Sequence, residues 1–334
     1  MKIVVLSASS RVSRPRQNNE SELGLVQGYQ SKSKNPAGSR TTFSYSRDFP
    51  RRFLLYYRAV FAFRKFFRWI RIQRSVTNVL GFQYRVASDL IEIDLTYLCN
   101  LRCNNCNRSS AQAPEAVHIG LDAIRQFVAE SLVQGRSWAR IRLLGGEPTL
   151  HPQFMAIVEE LLRYKAQYPA TVIQVVTNGY GRKVQSVIDS LPSSIYIENS
   201  AKSGDAQPGF GPFNLAPQDS MAYAGADYRN GCSIAETCGV GLTPQGYYPC
   251  AVAGGIDRVL GVRRGRTSLP PPEDEMRDLM DAACRLCGRF RDGHYVPDKL
   301  RPALMTQKSS PTWIRIYDEW SCRTKSAGRK QVSE

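Results

Sequence analysis

Hydrophobic and polar positions along the chain predict a series of alternating strands and helices that begins near residue 90. Residues 91–95, Ile-Glu-Ile-Asp-Leu, alternate with the period of a half-buried strand. Apolar positions three and four residues apart predict a helix that opens at Leu121 and stops at Gly135. Further strands are expected at 141–144, 171–176 and 195–197, with helices after Pro152 and over 181–190. Repeated strand–helix units predict parallel strands joined by helical crossovers, in a barrel or an open sheet.

The N-terminal quarter has a different pattern. Residues 1–49 are rich in Ser, Arg, Asn, Gln and Gly without sustained periodicity, and are predicted to be a disordered basic segment. Residues 50–76 mix aromatic and basic side chains without an acidic one, and are predicted to form a helix. This helix either contacts a membrane interface peripherally through 51–74, or packs on the barrel with its cations in solvent.

Composition limits the classes of protein that fit. At 334 residues the chain is long enough for one large domain and a smaller one. No apolar run approaches the ~18 residues of a membrane span, and the first apolar run is too short for a signal peptide. We therefore expect a cytoplasmic protein, with association at the inner membrane surface as the alternative if 51–74 contacts the membrane. The net charge of +16 lies largely in the N-terminal quarter and so belongs to an appendage of the main domain. We therefore do not expect a nucleic-acid partner.

Nine cysteines in an intracellular chain favour metal binding or catalysis over disulfides, because that compartment is reducing. They fall into groups: Cys99, Cys103 and Cys106; then Cys232, Cys238 and Cys250; then Cys284 and Cys287, with Cys322 alone as a buried or incidental thiol. The first group lies in the loop after the first predicted strand. Three thiolates on one short loop can hold three irons of a [4Fe–4S] cube and leave the fourth iron open.

Two further polar motifs also follow predicted strands. Gly145-Gly146-Glu147-Pro148 follows the second strand and Thr177-Asn178-Gly179 the third, so all three motifs belong at the carboxyl ends of parallel strands. This order of motifs, over residues 88–200, resembles the radical S-adenosylmethionine (radical SAM) superfamily. The resemblance implies a partial barrel that binds a [4Fe–4S] cluster and S-adenosylmethionine (SAM).

The resemblance also implies roles for individual residues. Cys99, Cys103 and Cys106 would ligate the cluster whose open iron binds SAM. The next motif supplies Gly145 and Gly146, which let the backbone approach the methionine moiety, and Glu147, which accepts from its ammonium group. Asn178 is similar to residues that bind the ribose. Asn105 departs from the family, which usually has an aromatic residue there near the adenine, and His151 is expected to be a helix-start or packing residue.

The second set of cysteines resembles the auxiliary-cluster extensions called SPASM and twitch domains. A β-hairpin is predicted over 238–250, and a helix that begins near Glu273 carries the last pair close to its end. The pattern is similar to the shorter twitch form, which has one auxiliary [4Fe–4S] cluster. Five thiols compete for four places: Cys232, Cys238, Cys250, Cys284 and Cys287. A structural zinc site is the alternative, because four thiolates also suit tetrahedral zinc.

The expected architecture is an α/β fold, a partial (β/α)6-type TIM barrel with a small C-terminal cysteine-rich extension of β-hairpin and helix. The expected domains are the barrel over 86–225, the twitch-like domain over 226–300, and a C-terminal helix and tail over 301–334.

The expected function is that of a radical SAM enzyme of oxidoreductase or maturase type. It would cleave SAM with an electron from a partner such as flavodoxin or ferredoxin, and abstract hydrogen from a peptide substrate. A small polar or lipid-linked metabolite is the alternative substrate. A zinc- or nucleic-acid-binding protein without catalysis is the alternative outside the class.

Overall fold

The computed structural model describes residues 54–202, 211–294, 296 and 309–331, and the short antiparallel strands β1 (Gln30–Lys32) and β2 (Phe43–Tyr45). The rest of the segment predicted to be disordered, 1–49, lies outside these residues.

The remaining elements follow in chain order. They are α1 (Leu54–Arg71), α2 (Arg74–Leu80), β3 (Leu90–Thr96), α3 (Leu121–Val133), β4 (Arg140–Gly145), α4 (Phe154–Gln167), β5 (Val172–Thr177), α5 (Arg182–Ser190), β6 (Tyr196–Asn199), α6 (Ser233–Thr237), β7 (Val240–Thr243), β8 (Gly246–Tyr248), α7 (Ala251–Leu260), α8 (Arg277–Cys284), α9 (Arg289–Asp292) and α10 (Pro311–Gln331). Short 3-10 turns lie at Pro148–Leu150, Pro217–Asp219, Met221–Tyr223 and Tyr228–Asn230. The predicted helix over 50–76 is therefore two helices, α1 and α2.

Six strands form one sheet in the order β6-β5-β4-β3-β7-β8. The first four strands of the series, β3 to β6, are parallel neighbours joined by helices, as their alternating pattern predicted. Strand β7 also runs parallel to β3, on its other side, and β8 returns antiparallel to β7. The predicted α/β class with a partial barrel is confirmed.

The two faces of this sheet differ in chemistry because side chains alternate along each strand. On β3, Ile91 and Ile93 join the hydrophobic core with Ile124 and Phe127 of α3 and Ile157 of α4. The opposite face of β3 carries charged side chains. The prediction of a half-buried strand is wrong, since every residue of β3 except the first is buried.

The predicted hairpin is present, but it belongs to the main sheet. Val240 of β7 pairs with Ile91 of β3, and Leu242 pairs with Ile93. The predicted domain boundary between residues 225 and 226 therefore does not separate two sheets, since strand β7 extends the sheet formed by β3 to β6. Cys250 follows directly and precedes α7.

The helix α1 ends on a small hydrophobic cluster at one side of the molecule. Ile72, just after α1, packs with Tyr223, Tyr228 and Phe290. Among the described helices, none is both long enough and apolar enough to cross a bilayer.

Candidate active site

The three cysteines predicted to form the first site lie in the loop between β3 and α3, at the carboxyl end of the sheet. Cys103 and Cys106 are buried, and Cys99 is partly exposed. Burial, with smaller contributions from Cys106, Glu147 and Cys103, raises the pKa of Cys99 to about 11.

A tight turn in this loop determines its conformation. Asn105, between Cys103 and Cys106, is buried and has a φ of 51°, in the left-handed region that Asn adopts more readily than bulky residues. The side-chain amide of Gln112 donates to the Cys103 carbonyl at 3.0 Å. The Ser109 N–H donates to the Cys106 carbonyl at 3.0 Å. The left-handed backbone conformation thus accounts for an Asn at position 105. The prediction that position 105 lies near the adenine stays a prediction.

The Gly145-Gly146-Glu147 motif runs directly alongside the start of the cysteine loop. Its backbone donates twice, from Gly146 to the Thr96 carbonyl at 2.7 Å and from Glu147 to the Leu98 carbonyl at 2.8 Å. A Cβ on Gly145 would lie 2.2 Å from the Thr96 carbonyl oxygen, and one on Gly146 would lie 2.3 Å from that of Leu98. The missing side chains therefore make room for the chain's own backbone. Their predicted role in admitting the methionine moiety stays a prediction.

Glu147 connects the ends of β4 and β5. It has no exposed surface. Its Oε1 accepts from the hydroxyls of Thr149 at 2.7 Å and Thr177 at 2.8 Å, and its Oε2 accepts from the Asn178 N–H at 2.8 Å. Burial raises the pKa of Glu147, and these donors oppose the rise. Oε2 accepts from one of these donors and Oε1 from two, so Oε2 can accept a further hydrogen bond. The predicted contact of Glu147 with the SAM ammonium group stays a prediction.

Asn178 brings the third motif to the first cysteine. Its amide Nδ2 donates to Asn100 Oδ1 at 2.8 Å and lies 3.9 Å from Cys99 Sγ, within hydrogen-bond range for sulfur. Its Oδ1 accepts from the Tyr180 N–H at 2.7 Å. Sequence reasoning missed Asn100, whose Nδ2 donates to the Tyr180 carbonyl at 2.6 Å. The three predicted motifs therefore do meet at one place.

His151 has the packing role that its position predicted. Its Nδ1 accepts from the Gln153 N–H at 3.0 Å, so its Nε2 carries the proton and donates to the Ile119 carbonyl at 2.8 Å. Burial lowers the pKa of this imidazole.

A network of buried charges lies beneath the cysteine loop on the polar face of the sheet. Its distances are Arg108–Glu92 3.1 Å, Arg108–Asp94 3.1 Å, Arg142–Glu92 2.5 Å and Arg142–Glu198 2.9 Å. Three carboxyl groups share two guanidinium groups, and burial raises the pKa of Asp94 to about 6 although Arg108 opposes the rise. Sequence reasoning missed this network. The charged alternation on β3 was its one visible sign.

The second cysteine set converges on a cavity of about 30 Å³. Four of the five candidate thiols line it: Cys232, Cys250, Cys284 and Cys287. The other lining residues are apolar or glycine, among them Ile256, Met280 and Phe290. The cavity thus has the thiol count of a single cluster and an otherwise apolar wall.

The fifth candidate, Cys238, lies elsewhere. Its Sγ is 3.7 Å from Nη1 of Arg142, in the buried charge network. Burial and the charge of Glu92 raise the pKa of Cys238 to about 12. Its inclusion among the predicted ligands is therefore not supported by the cavity, because the hairpin directs it to the sheet instead.

The four cavity thiols are electrostatically coupled to one another. Burial raises the pKa of Cys284 well above the ordinary thiol value, and the charges of Cys232, Cys250 and Cys287 raise it further. Burial likewise raises the pKa of Cys287 to about 12. Such thiols stay protonated unless a bound metal takes the place of the protons.

Within the described ranges, no three His, Cys, Asp or Glu side chains form a group that could hold a single metal ion. Ligands of a cube bind its separate corners and so stand farther apart than ligands of one ion. The finding thus concerns single-ion sites.

A partial barrel with three cysteines on the loop after its first strand is the arrangement of a domain that binds an iron–sulfur cluster. Residues 93–197 match the family model described as Radical SAM superfamily. The chain therefore carries a radical SAM domain over these residues, and the family implies a [4Fe–4S] cluster and SAM. The three coupled thiols, with polar groups beside them, fit such a cluster.

Two curated relatives match about a third of the chain or less. The GTP 3′,8-cyclase of Mannheimia succiniciproducens is 33% identical over 113 residues, which are 33% of this chain and 32% of that protein. The GTP 3′,8-cyclase of Pasteurella multocida is 34% identical over 93 residues, 27% of this chain and 26% of that protein. The chain thus matches about a third or less of the length of these relatives.

Solved structures of BtrN are also similar. The structure of BtrN in complex with AdoMet and 2-DOIA shares 16% sequence identity with this chain, at a TM-score of 0.32. The match covers 59% of this chain and 83% of BtrN.

Proposed function

We propose that the protein is a radical SAM enzyme with a second, auxiliary [4Fe–4S] cluster. The observation that carries the first part is the meeting of three motifs around Cys99, inside the segment that matches the family. When bound there, the cluster supplies the electron that cleaves SAM to methionine and a 5′-deoxyadenosyl radical, which abstracts hydrogen from a substrate. We propose a flavodoxin or ferredoxin as the source of that electron.

The chain's own residues hold and orient the reactants. Cys99, Cys103 and Cys106 ligate three irons, which leaves one iron for SAM. Asn178 donates toward the first thiol and fixes the loop through Asn100. Glu147 provides buried negative charge at the ends of β4 and β5, where the SAM ammonium is expected.

We assign the auxiliary cluster to Cys232, Cys250, Cys284 and Cys287. Four thiols provide a ligand for each of four irons, so no iron position is left for a substrate atom. We therefore assign this site to electron transfer and not to substrate binding. An electron acceptor in the same chain favours a net oxidation of the substrate, which is an oxidoreductase-type reaction.

Fewer observations bear on the substrate than on the clusters. The relatives' name, GTP 3′,8-cyclase, belongs to proteins that match only about a third of this chain. We keep a peptide or protein as the first candidate substrate. A small polar or lipid-linked metabolite is the second, and it is favoured by the exposed apolar side of α1.

The test uses the full chain, reconstituted anaerobically with iron and sulfide and assayed with SAM and a strong reductant. We expect about eight irons per chain and formation of 5′-deoxyadenosine. The Cys99→Ala/Cys103→Ala/Cys106→Ala variant should retain about four irons and form none.

The matched control is Cys322→Ala, because Cys322 is exposed and belongs to neither proposed site. It should behave as the wild type. Cleavage of SAM by the triple variant, or a wild type without iron, would overturn the proposed function. About four irons with one zinc in the wild type would leave the radical SAM site and overturn the auxiliary cluster.

A further inference from the structure

Helix α1 turns large apolar side chains away from the protein. Leu55 is 77% exposed, Phe63 69% and Phe66 58%. Tyr56, Phe67 and Trp69 are also exposed. These six side chains are called here the outer face of α1. So many exposed aromatic groups on one helix indicate an interaction surface.

The spacing of these residues makes them one continuous face. Leu55, Ala59, Phe63 and Phe66 recur at intervals of four, four and three residues, which places them along one stripe of an α-helix. All four are exposed. The opposite stripe includes Arg68, which is 2% exposed. Helix α1 is rich in apolar residues. In the structure it has an inner side, which faces the protein, and an outer side, which faces solvent.

Arg68 fixes the rotation of the helix about its axis. Its Nη2 donates to the carbonyls of Gly231 at 2.5 Å and Phe290 at 3.2 Å, and its Nη1 donates to Gln83 Oε1 at 2.6 Å. Rolling α1 to bury its outer face would break these bonds and leave a buried cation without partners, which is strongly unfavourable. The outer face therefore stays outward.

Cations border the outer face on both sides. Arg58 and Lys65 are exposed along one edge, and Arg64 is exposed along the other. No Asp or Glu occurs from residue 49 to residue 88. An apolar stripe bordered by Lys and Arg fits an anionic lipid surface, where the rings enter the acyl boundary and the cations meet the headgroups.

We propose that the outer face of α1 docks the protein on the surface of a bilayer that contains anionic lipids. The helix lies in the plane of the interface, since it is not a spanning helix. Its 18 residues give a contact about 27 Å long. A second copy of the chain is a poorer occupant, because pairing two outer faces would bring their bordering cations together.

The test is flotation of the full chain with liposomes, which involves no SAM chemistry and is therefore independent of the proposed function. Vesicles of phosphatidylcholine with ~30% phosphatidylglycerol should carry the protein, and vesicles of phosphatidylcholine alone should carry much less. Binding should weaken at high salt. The Arg58→Gln/Lys65→Gln variant should bind anionic vesicles about fivefold more weakly for each cation removed.

The apolar part is tested with Phe63→Asp/Phe66→Asp, which should abolish flotation. The matched control is Val133→Asp/Val262→Asp, which adds the same charge at two valines outside α1 that are 88% and 39% exposed. The control should float as the wild type does. No flotation of the wild type, or equal loss in both variants, would overturn the proposal. Concentration-dependent dimers that Phe63→Asp/Phe66→Asp abolishes, without vesicle binding, would assign the face to a second copy.

Discussion

The two cysteine sites differ in number of thiols and in surroundings. The loop site has three cysteines, one of them partly exposed, beside the amide of Asn178 and the carboxylate of Glu147. The cavity site has four thiols among side chains such as Ile256 and Phe290. Exposure does not separate the two sites, since Cys250 and Cys284 of the cavity are also partly exposed. A site with polar neighbours suits a cluster that must bind a charged cosubstrate, and a site with apolar neighbours suits a cluster that only exchanges electrons.

The supporting residues differ in the same way. Beneath the loop site lies a network of ion pairs in which Arg108 joins Glu92 and Asp94. Against the cavity site lie buried cations: the guanidinium of Arg68 is within electrostatic reach of Cys232 and Cys284, and that of Arg289 is within reach of Cys287. The loop site thus rests on a base of paired charges. The cavity site rests on packed apolar side chains with cations near its thiols.

The largest expected effect separates two thiols that the sequence could not distinguish. Cys250→Ala should remove about four of the proposed eight irons, because Cys250 lines the cavity. Cys238→Ala should keep all of them, since Cys238 contacts Arg142 instead. Iron and sulfide analysis of the anaerobically reconstituted variants measures the difference. The reverse result would show that the cavity is not the auxiliary site.

Arg108→Ala should lower the free energy of unfolding by about 3–5 kcal/mol, because it leaves two buried carboxyl groups without this partner. Anaerobic denaturant unfolding measures the loss. Arg125→Ala is the control, since its ion pair with Asp122 is exposed and should be worth less than about 1 kcal/mol. Equal losses in the two variants would mean that the buried network does not support the loop site.

Gly146→Ala should destabilise the protein by about 1–3 kcal/mol and lower the iron content of the loop site. The added Cβ would lie 2.3 Å from the Leu98 carbonyl oxygen and would push the start of the cysteine loop. Gly120→Ala is the matched control, because nothing lies within 4 Å of its Cβ position. Counting iron in the Cys250→Ala background isolates the loop site. Full loop-site iron in Gly146→Ala would contradict the proposed dependence on close backbone packing.

Arg68→Leu is expected to have the smallest effect, a fall of tens of millivolts in the reduction potential of the cavity site. A positive charge favours the reduced, more negative form of a cluster, so its removal lowers the potential. An EPR-monitored redox titration measures the shift, and Arg68→Lys should restore part of it. Arg85→Leu removes an equal charge from a side chain that is 85% exposed and should leave the potential unchanged.

Much of the fold and of the loop site could be predicted because the signals are local. The period of residues 91–95 indicated β3, and the motifs ending in Glu147 and Asn178 follow their strands directly. The exclusion of Cys238 from the cavity could not be predicted. It depends on the pairing of β7 with β3, a contact between residues about 150 positions apart in the chain.

Other features were hidden for related reasons. The pairing of Arg108 with Glu92 and Asp94 requires the loop to fold back over the strand, which no local pattern indicates. The sequence also could not show which side of α1 faces outward, because apolar residues occur on both. Only the contacts of Arg68 across the fold decide it.

The pairing of Ile91 with Val240 has a consequence for the spacing of the two sites. The strand that leads to Cys99 and the hairpin that leads to Cys250 are hydrogen-bonded neighbours in one sheet. Their register therefore fixes the relative positions of the two sites along the strand direction. A slip of one residue would shift the two sites by about 3.3 Å and turn every side chain of the strand to the other face. In the proposed two-cluster enzyme, this register would therefore help to fix the distance that an electron crosses between the sites, and electron transfer slows steeply as that distance grows.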